Sequence, residues 1–211
     1  MKRRVGILLS GRGSNMVALA EAARRTDYPA RIALVISNDA AAPGLALAAS
    51  HGIATRAIPH RPFGRNRAAH EAAIDAALTE AGVEVVCLAG YMRLLTPWLV
   101  GRYAGRMLNI HPSLLPAFPG LDTHARALAA GVKFHGCTVH LVTEAMDEGP
   151  ILAQAAVPVR PGEDAATLAE RVLTEEHKLY AAALARFLQG EAGEAPSAAL
   201  HNPLPDTVSG P

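Results

Sequence analysis

The sequence predicts an α/β protein: one mainly parallel, twisted sheet with helices on both faces and an antiparallel pair of strands near the C-terminal end. Three observations support this fold class. Short apolar runs alternate with helical patterns, and a glycine-rich loop joins the first run to the first helix. Two later apolar runs are separated by the turn-rich segment 147–150, which is typical of an antiparallel pair. In such sheets ligands bind outside the carboxyl ends of the strands, so the loops after strands are the candidate sites.

The first half of the chain contains three strand–helix units and a fourth strand. The apolar run that ends at Leu9 is followed by Met16, Leu19 and Ala23 at helical spacing. A proline begins the second helix at Pro43, and Gly82 ends the third. The predicted elements are strands 4–9, 31–36, 54–58 and 83–89 and helices 15–25, 43–51 and 67–81.

The second half contains a proline-rich loop, the antiparallel pair and a long amphipathic helix. The predicted elements are helix 97–103, strand 106–110, loop 111–123, helix 124–130, strands 134–142 and 151–157, and helix 164–189. We expect one domain over residues 1–189. From 190 to 211 the Gly, Ala, Ser and Pro content predicts a loosely ordered tail.

Composition argues against several classes of function. The 211 residues carry 20 Lys and Arg against 19 Asp and Glu, with no basic block beyond residues 1–4, so we expect no nucleic-acid partner. The apolar runs are far shorter than the roughly 20 residues of a membrane helix and too short for a signal peptide, so we expect a cytoplasmic protein with no membrane partner. Cys87 and Cys137 lie in apolar surroundings, which predicts buried thiols rather than a disulfide or a metal site.

The glycine-rich segment 11–15 is the first candidate site. Free backbone N–H groups and the positive end of the following helix suit a phosphate. Met16 stands where a dinucleotide fingerprint has its third glycine, and no Gly-Lys-Ser/Thr follows, so a single phosphate, as on a phosphoribosyl group, fits better. A tight turn with Ser14 or Asn15 as helix cap explains the segment equally well.

The second candidate is Asn109-Ile-His-Pro-Ser-Leu-Leu-Pro116, at the end of a strand. Asn109 and His111 are two residues apart, so a pleated strand points both side chains to one face. A neutral donor and a titratable donor on one face suit the stabilisation of an oxyanion. Without further context, a capping Asn and a surface His before a proline turn are the commoner explanation.

Asp147, before Gly149-Pro150, is the third candidate. A carboxylate on this loop that approaches His111 would raise the pKa of the imidazole and take up a proton from an attacking amine. An ordinary turn Asp is the alternative. The remaining histidines are scattered. His135 and His140 are five apart and face opposite sides of a regular strand, so we expect no metal.

Five segments of the chain occur in the order found in a known family. They are Gly13-Ser-Asn15, Ala89-Gly-Tyr-Met-Arg-Leu-Leu95, Asn109-Ile-His-Pro-Ser-Leu-Leu-Pro116, Pro119-Gly120 and Asp147-Glu-Gly-Pro150. With these segments the chain resembles, from about Val5 to Leu188, the phosphoribosylglycinamide formyltransferases of the folate-dependent formyltransferase superfamily. The resemblance implies a single formyltransferase-type domain with a nucleotide-binding half of about 1–100 and a folate and catalytic half of about 101–189.

The activity implied is transfer of the formyl group of 10-formyltetrahydrofolate, a co-substrate, to the amine of 5-phosphoribosylglycinamide in purine biosynthesis. By the same resemblance, Asn109 and His111 stabilise the tetrahedral oxyanion and Asp147 assists proton transfer, with no metal. The resemblance also suggests a cis bond before Pro116.

The resemblance further assigns binding residues. Those for phosphoribosylglycinamide are Gly13, Ser14, Asn15, Leu173, Thr174, Glu175 and Glu176. Those for 10-formyltetrahydrofolate are Arg67, Met92, Arg93, Leu94, Leu95, Asn109, Thr143, Glu144, Ala145, Met146 and Asp147. Two residues depart from the family pattern: Arg12 is at a variable position of the phosphate loop, and Glu148 stands where a small residue is common.

Other users of the same formyl donor are the alternatives. A methionyl-tRNA formyltransferase normally adds a C-terminal domain and a formyltetrahydrofolate hydrolase an N-terminal one, and we expect neither in a chain of this length. A sugar-nucleotide formyltransferase and a non-catalytic folate- or nucleotide-binding module are further alternatives. The expected partners are small-molecule substrates, and the expected state is a monomer or weak homodimer.

Overall fold

The predicted alternation of strands and helices is present in the computed structural model, which describes residues 1–190 and 200–201. The strands are β1 (Arg3–Leu9), β2 (Ala30–Ser37), β3 (Thr55–Ala57), β4 (Val85–Leu88), β5 (Met107–His111), β6 (Phe134–Leu141), β7 (Ile151–Pro158) and β8 (Leu200–His201). The helices are α1 (Ser14–Arg24), α2 (Pro43–Ser50), α3 (Arg67–Glu80), α4 (Pro97–Arg102), α5 (Thr123–Ala129) and α6 (Ala165–Leu188), with a 3₁₀ turn at Arg61–Phe63.

The strands form one sheet in the order β3-β2-β1-β4-β5-β6-β7-β8. Strands β1 to β5 are parallel, and β6 is antiparallel to both β5 and β7. The mainly parallel α/β fold and the antiparallel β6–β7 pair are therefore confirmed. The antiparallel β5–β6 pairing was not predicted. A parallel crossover needs an element that returns the chain along the sheet, and the seven-residue helix α5 spans only about 10 Å.

Two apolar layers cover the two faces of the sheet, because side chains alternate along each strand. On β1, Val5, Ile7 and Leu9 belong to a core cluster that includes buried residues of α1 and α6. Leu8 faces the other way, into a second cluster that includes residues of α3 and α4. The predicted helices on both faces of the sheet are thus confirmed.

Helix α6 is tied to the centre of the sheet by one buried tyrosine. The hydroxyl of Tyr180 lies 3.1 Å from the carbonyl oxygens of both Leu88 and Leu108, on neighbouring strands β4 and β5. This contact fixes the position of α6 along the sheet, and with it the position of Glu176 one turn earlier.

Most element boundaries agree with the sequence prediction to within about two residues. The difference that matters is His111, predicted as the first loop residue but found in β5, because it pairs in register with Thr138 of β6. Of the predicted tail, only Gly190 and the two residues of β8, which pairs with β7, lie among the described residues.

Both cysteines are free and buried, as predicted. Burial raises the pKa of the Cys87 thiol to about 12. Across the described part of the chain, no helix is both long and apolar enough to span a membrane.

Gly149 is required where the loop after β6 turns back into β7. A Cβ at this buried position would lie 1.7 Å from the carbonyl oxygen of Leu141. We expect Gly149→Ala to lower the free energy of unfolding by about 3 kcal/mol, because two backbone segments must separate. Urea denaturation measures this loss.

The control is Gly101→Ala in α4, where an added Cβ meets no heavy atom within 4 Å. Alanine in a helix is about 1 kcal/mol better than glycine, so this variant should be as stable as the parent or more so. Equal stability of the two variants would contradict the clash at Gly149.

Candidate active site

The candidate residues gather at the carboxyl edge of the sheet, where the strand order reverses. After β1 the chain builds outward through β2 and β3, then returns to place β4 on the other side of β1. The loops that follow β1 and β4 therefore diverge and leave a crevice, the usual ligand position in an open α/β sheet. The glycine-rich loop follows β1, the segment 89–96 follows β4, and Asn109 and His111 end β5.

The glycine-rich loop opens helix α1 directly. Gly13 is its N-cap, with φ of 79°, and a Cβ at Gly13 would lie 2.8 Å from the Cα of Gly44. The first N–H groups of a helix have no partners within the helix, and the nearby dipole is positive. Because no side chain caps α1, this loop can receive an anion through Ser14, Asn15 and the backbone.

Asn15 connects the glycine-rich loop to α6. It is only 8% exposed and donates from Nδ2 to Oε2 of Glu176 at 2.6 Å. Its Oδ1 is buried and has no hydrogen-bond partner among the described residues. Burial raises the pKa of the Glu176 carboxyl. A buried carboxylate beside an unpaired amide oxygen is a polar site suited to ligand hydroxyl groups.

We expect Glu176→Gln to stabilise the ligand-free protein increasingly as the pH rises from about 4.5. The raised pKa means that the folded parent binds more protons than the unfolded chain, so its stability falls as pH increases through this window. Glutamine keeps the acceptor for Asn15 and removes the charge. Thermal unfolding at pH 4 to 8 measures the difference, and a stability difference that shrinks with rising pH would contradict it.

The segment after β4 is anchored at both ends. The hydroxyl of Ser10 accepts from the backbone N–H of Met92 at 2.8 Å and donates to Oδ1 of Asn38 at 2.5 Å. At the other end the buried carboxylate of Glu71, on α3, accepts from the backbone N–H and the hydroxyl of Thr96. The loop thus presents the side chain of Met92 to solvent while its backbone is held.

Asn109, His111 and Asp147 are brought together at the end of β5. The His111 Nδ1 atom lies 3.5 Å from Oδ2 of Asp147, and both side chains are at most 10% exposed. The backbone N–H of Gly120 donates to the same Oδ2 at 2.8 Å. Asp147 has φ of 58°, so the loop turns sharply to aim this carboxylate at the strand end.

A carbonyl oxygen fixes the orientation of the His111 ring. Its Nε2 lies 3.1 Å from the oxygen of Phe118, which can only accept, so Nε2 carries a proton and Nδ1 faces Asp147. The loop that carries Phe118 is held by Thr138, whose hydroxyl donates to the Ser113 carbonyl and accepts from the Leu115 N–H. The Leu115–Pro116 bond is cis, as expected.

A group of aromatic rings lies behind His111. His135 stacks edge-on against Phe118 and His124, with ring centroids 5.9 and 5.1 Å apart. Burial lowers the pKa of His135 to about 4, so it stays neutral near neutral pH. Within residues 1–190 and 200–201, no cluster of three His, Cys, Asp or Glu side chains is arranged to hold a metal ion.

A comparison with protein families decides the group to which this arrangement belongs. The model of the formyl transferase family matches residues 3–184. The chain belongs to the formyl transferase family. It is 42% identical over 184 residues to phosphoribosylglycinamide formyltransferase of Escherichia coli (strain K12), which covers 87% of this chain and 86% of that protein.

Solved structures of formyl transferases share the fold. The crystal structure of phosphoribosylglycinamide formyltransferase from Brucella melitensis has a TM-score of 0.85 and 57% identity, over 89% of this chain and 96% of that one. A formyltetrahydrofolate deformylase from Pseudomonas syringae has a TM-score of 0.82 and 30% identity, over 90% of this chain and 62% of that one.

The formyl transferase chain is also similar to part of a larger protein. It is 49% identical over 189 residues to the human trifunctional purine biosynthetic protein adenosine-3. That alignment covers 90% of this chain, which spans about a fifth (19%) of the larger protein.

The structure places the other predicted site residues of this formyl transferase in different environments. Of the α6 group, only the Glu176 side chain bonds to the glycine-rich loop, whereas Glu175 pairs with Lys178 at 2.9 Å and Thr174 bonds to the carbonyl of Glu170. Adjacent residues on a helix point about 100° apart, so the four cannot all face one ligand. Leu173 is partly buried.

The predicted folate residues are largely solvent-facing. Leu94, Arg67, Thr143, Glu144, Ala145 and Met146 are exposed, while Arg93 and Leu95 are partly buried. Met146 lies beside Gly120: a Cβ added to that glycine would lie 3.8 Å from the Cε atom of Met146. Glu148, next to Asp147, is exposed, and Arg12 is exposed beside the glycine-rich loop.

Sequence reasoning missed three residues that organise the site. Ser10 joins the loops after β1 and β4, Thr138 holds the loop after β5, and His140 contacts Asn109 and Asp147. Each is a common polar residue inside a strand or at its end, with no local motif. The only signal was position: each is predicted in or directly after a strand, near the edge where the site was expected.

Proposed function

We propose that the protein transfers the formyl group of 10-formyltetrahydrofolate to the amine of 5-phosphoribosylglycinamide in purine biosynthesis. Relatives that match over most of their length carry this activity in their names. The observation that carries the proposal is the convergence of Asn109, His111 and Asp147 at the end of β5, at the same sheet edge as the glycine-rich loop and its partner Glu176.

The proposed reaction begins with attack of the substrate amine nitrogen on the formyl carbon. A C–N bond forms, and negative charge develops on the formyl oxygen. The Asn109 amide N–H and protonated His111 donate hydrogen bonds to that oxygen. Asp147 takes up the proton that the amine loses, directly or through water. The bond from the formyl carbon to folate N10 then breaks, N10 receives the proton that Asp147 took up, and tetrahydrofolate leaves.

The binding residues fit the two substrates by their chemistry. The backbone groups of Gly13, Ser14 and Asn15 receive the phosphate, and Glu176 accepts from hydroxyl groups of the ribose. The folate lies along the segment 92–95 and the loop 143–147, and Arg67 pairs with its carboxylate tail. No metal takes part in the proposed reaction.

The test mixes purified protein with 10-formyltetrahydrofolate and 5-phosphoribosylglycinamide and follows the release of tetrahydrofolate. Release that requires the ribonucleotide, with a formylated product seen by mass spectrometry, is the expected result. No release with both substrates present would overturn the proposal.

A second candidate function is hydrolysis of the same formyl donor. The 30% identity and TM-score of 0.82 with a formyltetrahydrofolate deformylase favour it, because water can replace the amine in the same site. The assay without ribonucleotide separates the two functions. Rapid release of tetrahydrofolate and formate in that arm would assign the hydrolase, whereas a rate that depends on the ribonucleotide would exclude it as the main activity.

A further inference from the structure

We infer that His140 is a positioning residue, which holds the side-chain amide of Asn109 in one of its two orientations and thereby aims an N–H donor at the reacting group. The inference rests on the proposed function, in which Asn109 is a donor to the oxyanion. Asn109 and His140 lie directly opposite each other on β5 and β6. Cross-strand neighbours of this kind are close enough for their side chains to interact.

The contacts of the His140 ring determine which nitrogen carries the proton. Nδ1 lies 2.9 Å from the carbonyl oxygen of Leu141, which can only accept, so Nδ1 carries a proton. Nε2 lies 3.1 Å from Nδ2 of Asn109. In a neutral ring Nε2 has a lone pair, and it therefore accepts from the Asn109 amide.

This contact fixes the amide of Asn109. With one N–H given to His140, the NH₂ group must point toward β6 and Oδ1 away from it. The second N–H has no partner among the described residues and is left for substrate. If the amide were turned by 180°, Oδ1 would face the Nε2 lone pair, and two acceptors would repel each other. His140 thus selects one of the two orientations that the Asn109 amide would otherwise adopt.

Positioning of the Asn109 amide requires the His140 ring to be neutral. Its side chain is 3% exposed, and burial lowers its pKa below the ordinary histidine value. The charged or titratable groups that face it are Asp147, with Oδ1 3.8 Å from Nε2, and His111 on β5; the residue opposite it on β7 is Ile151. Protonation at Nε2 would remove the acceptor for Asn109 and direct an N–H toward Asp147.

The test compares His140→Ala with His140→Gln, whose amide oxygen can replace the Nε2 acceptor. We expect His140→Ala to lower kcat about tenfold, less than the 10²–10³ for loss of an oxyanion donor itself, with KM for both substrates nearly unchanged. His140→Gln should recover most of kcat. In His140→Gln, the part of the decrease in kcat at low pH that comes from protonation of His140 should be absent.

A double-mutant cycle separates positioning from a general structural role. In the Asn109→Ala background, replacing His140 with alanine should cost no further activity, because the group that His140 positions is absent. Additive losses would overturn the inference. So would full activity of His140→Ala. The control is His51→Gln, at the end of α2 on the opposite edge of the sheet, which should leave kcat unchanged.

Nitrogen NMR of the parent protein gives a readout that needs no variant and no turnover. We expect the His140 ring to carry its proton on Nδ1 and none on Nε2 near neutral pH, and a proton on Nε2 would overturn the inference. If the parent transfers no formyl group, the proposed function fails, and the NMR result still reports on His140. If the parent is active but the variants behave like it, only the inference fails.

Discussion

Replacement of His111 by alanine should lower kcat by about 10³-fold, because the proposed reaction loses one of its donors to the oxyanion. The ring lies at the end of β5 with Nε2 held by the Phe118 carbonyl, so Nδ1 alone faces the reacting groups. The folate itself would lie mainly along the segment 92–95. Its dissociation constant, measured with tetrahydrofolate by calorimetry, should therefore change by no more than about threefold.

The split between kcat and folate affinity identifies the role of His111. If the variant lost folate binding as well, His111 would be a structural residue that holds the loop after β5. A variant with full activity would remove His111 from the mechanism. Thermal unfolding of the variant provides the control for folding, since His111 is buried.

Asp147→Asn should lower kcat by about 10² to 10³-fold. Asparagine has nearly the same shape, accepts from the Gly120 N–H as the aspartate does, and tolerates the left-handed backbone conformation with φ of 58°. The change therefore removes the negative charge that faces His111 and little else. Steady-state rates with both substrates saturating measure the loss.

Glu148→Gln is the matched control for this variant. It removes one negative charge from the next residue of the same loop, but that side chain is exposed. We expect its kcat to stay within about twofold of the parent, because exposed charges interact weakly. Equal losses in the two variants would mean that loop charge in general, and not the Asp147 contact, controls the rate.

Much of the fold was predictable because apolar periodicity reports local structure directly. The run Arg4–Leu9 and the helical spacing of Met16, Leu19 and Ala23 predicted β1 and α1 to within a residue at most ends. The antiparallel β5–β6 pairing was not predictable in this way. Pairing direction depends on the path of the loop between the two strands. This loop is held by Thr138, which lies on another strand, so its path has no signature in the local sequence.

The candidate site also contains features that the local sequence predicts and features that only the fold reveals. The motif at 109–116 and the glycine-rich loop were found because their residues are adjacent in the chain. The contact of Asp147 with His111 remained a hypothesis until the fold placed them 3.5 Å apart. His140 was interpreted as one of several scattered histidines, since its importance lies in the residue opposite it on a neighbouring strand.

The sequence by itself determined the α/β class, the two loops proposed to carry the chemistry and the family resemblance, because these depend on patterns within short segments. The tertiary structure alone decided which side chains meet: Asn15 with Glu176, Ser10 with Met92, and His140 with Asn109. Those contacts join residues 161, 82 and 31 positions apart in the chain. Periodicity extends over one helix or strand, so only the packing of strands and helices around a common core specifies contacts of this range.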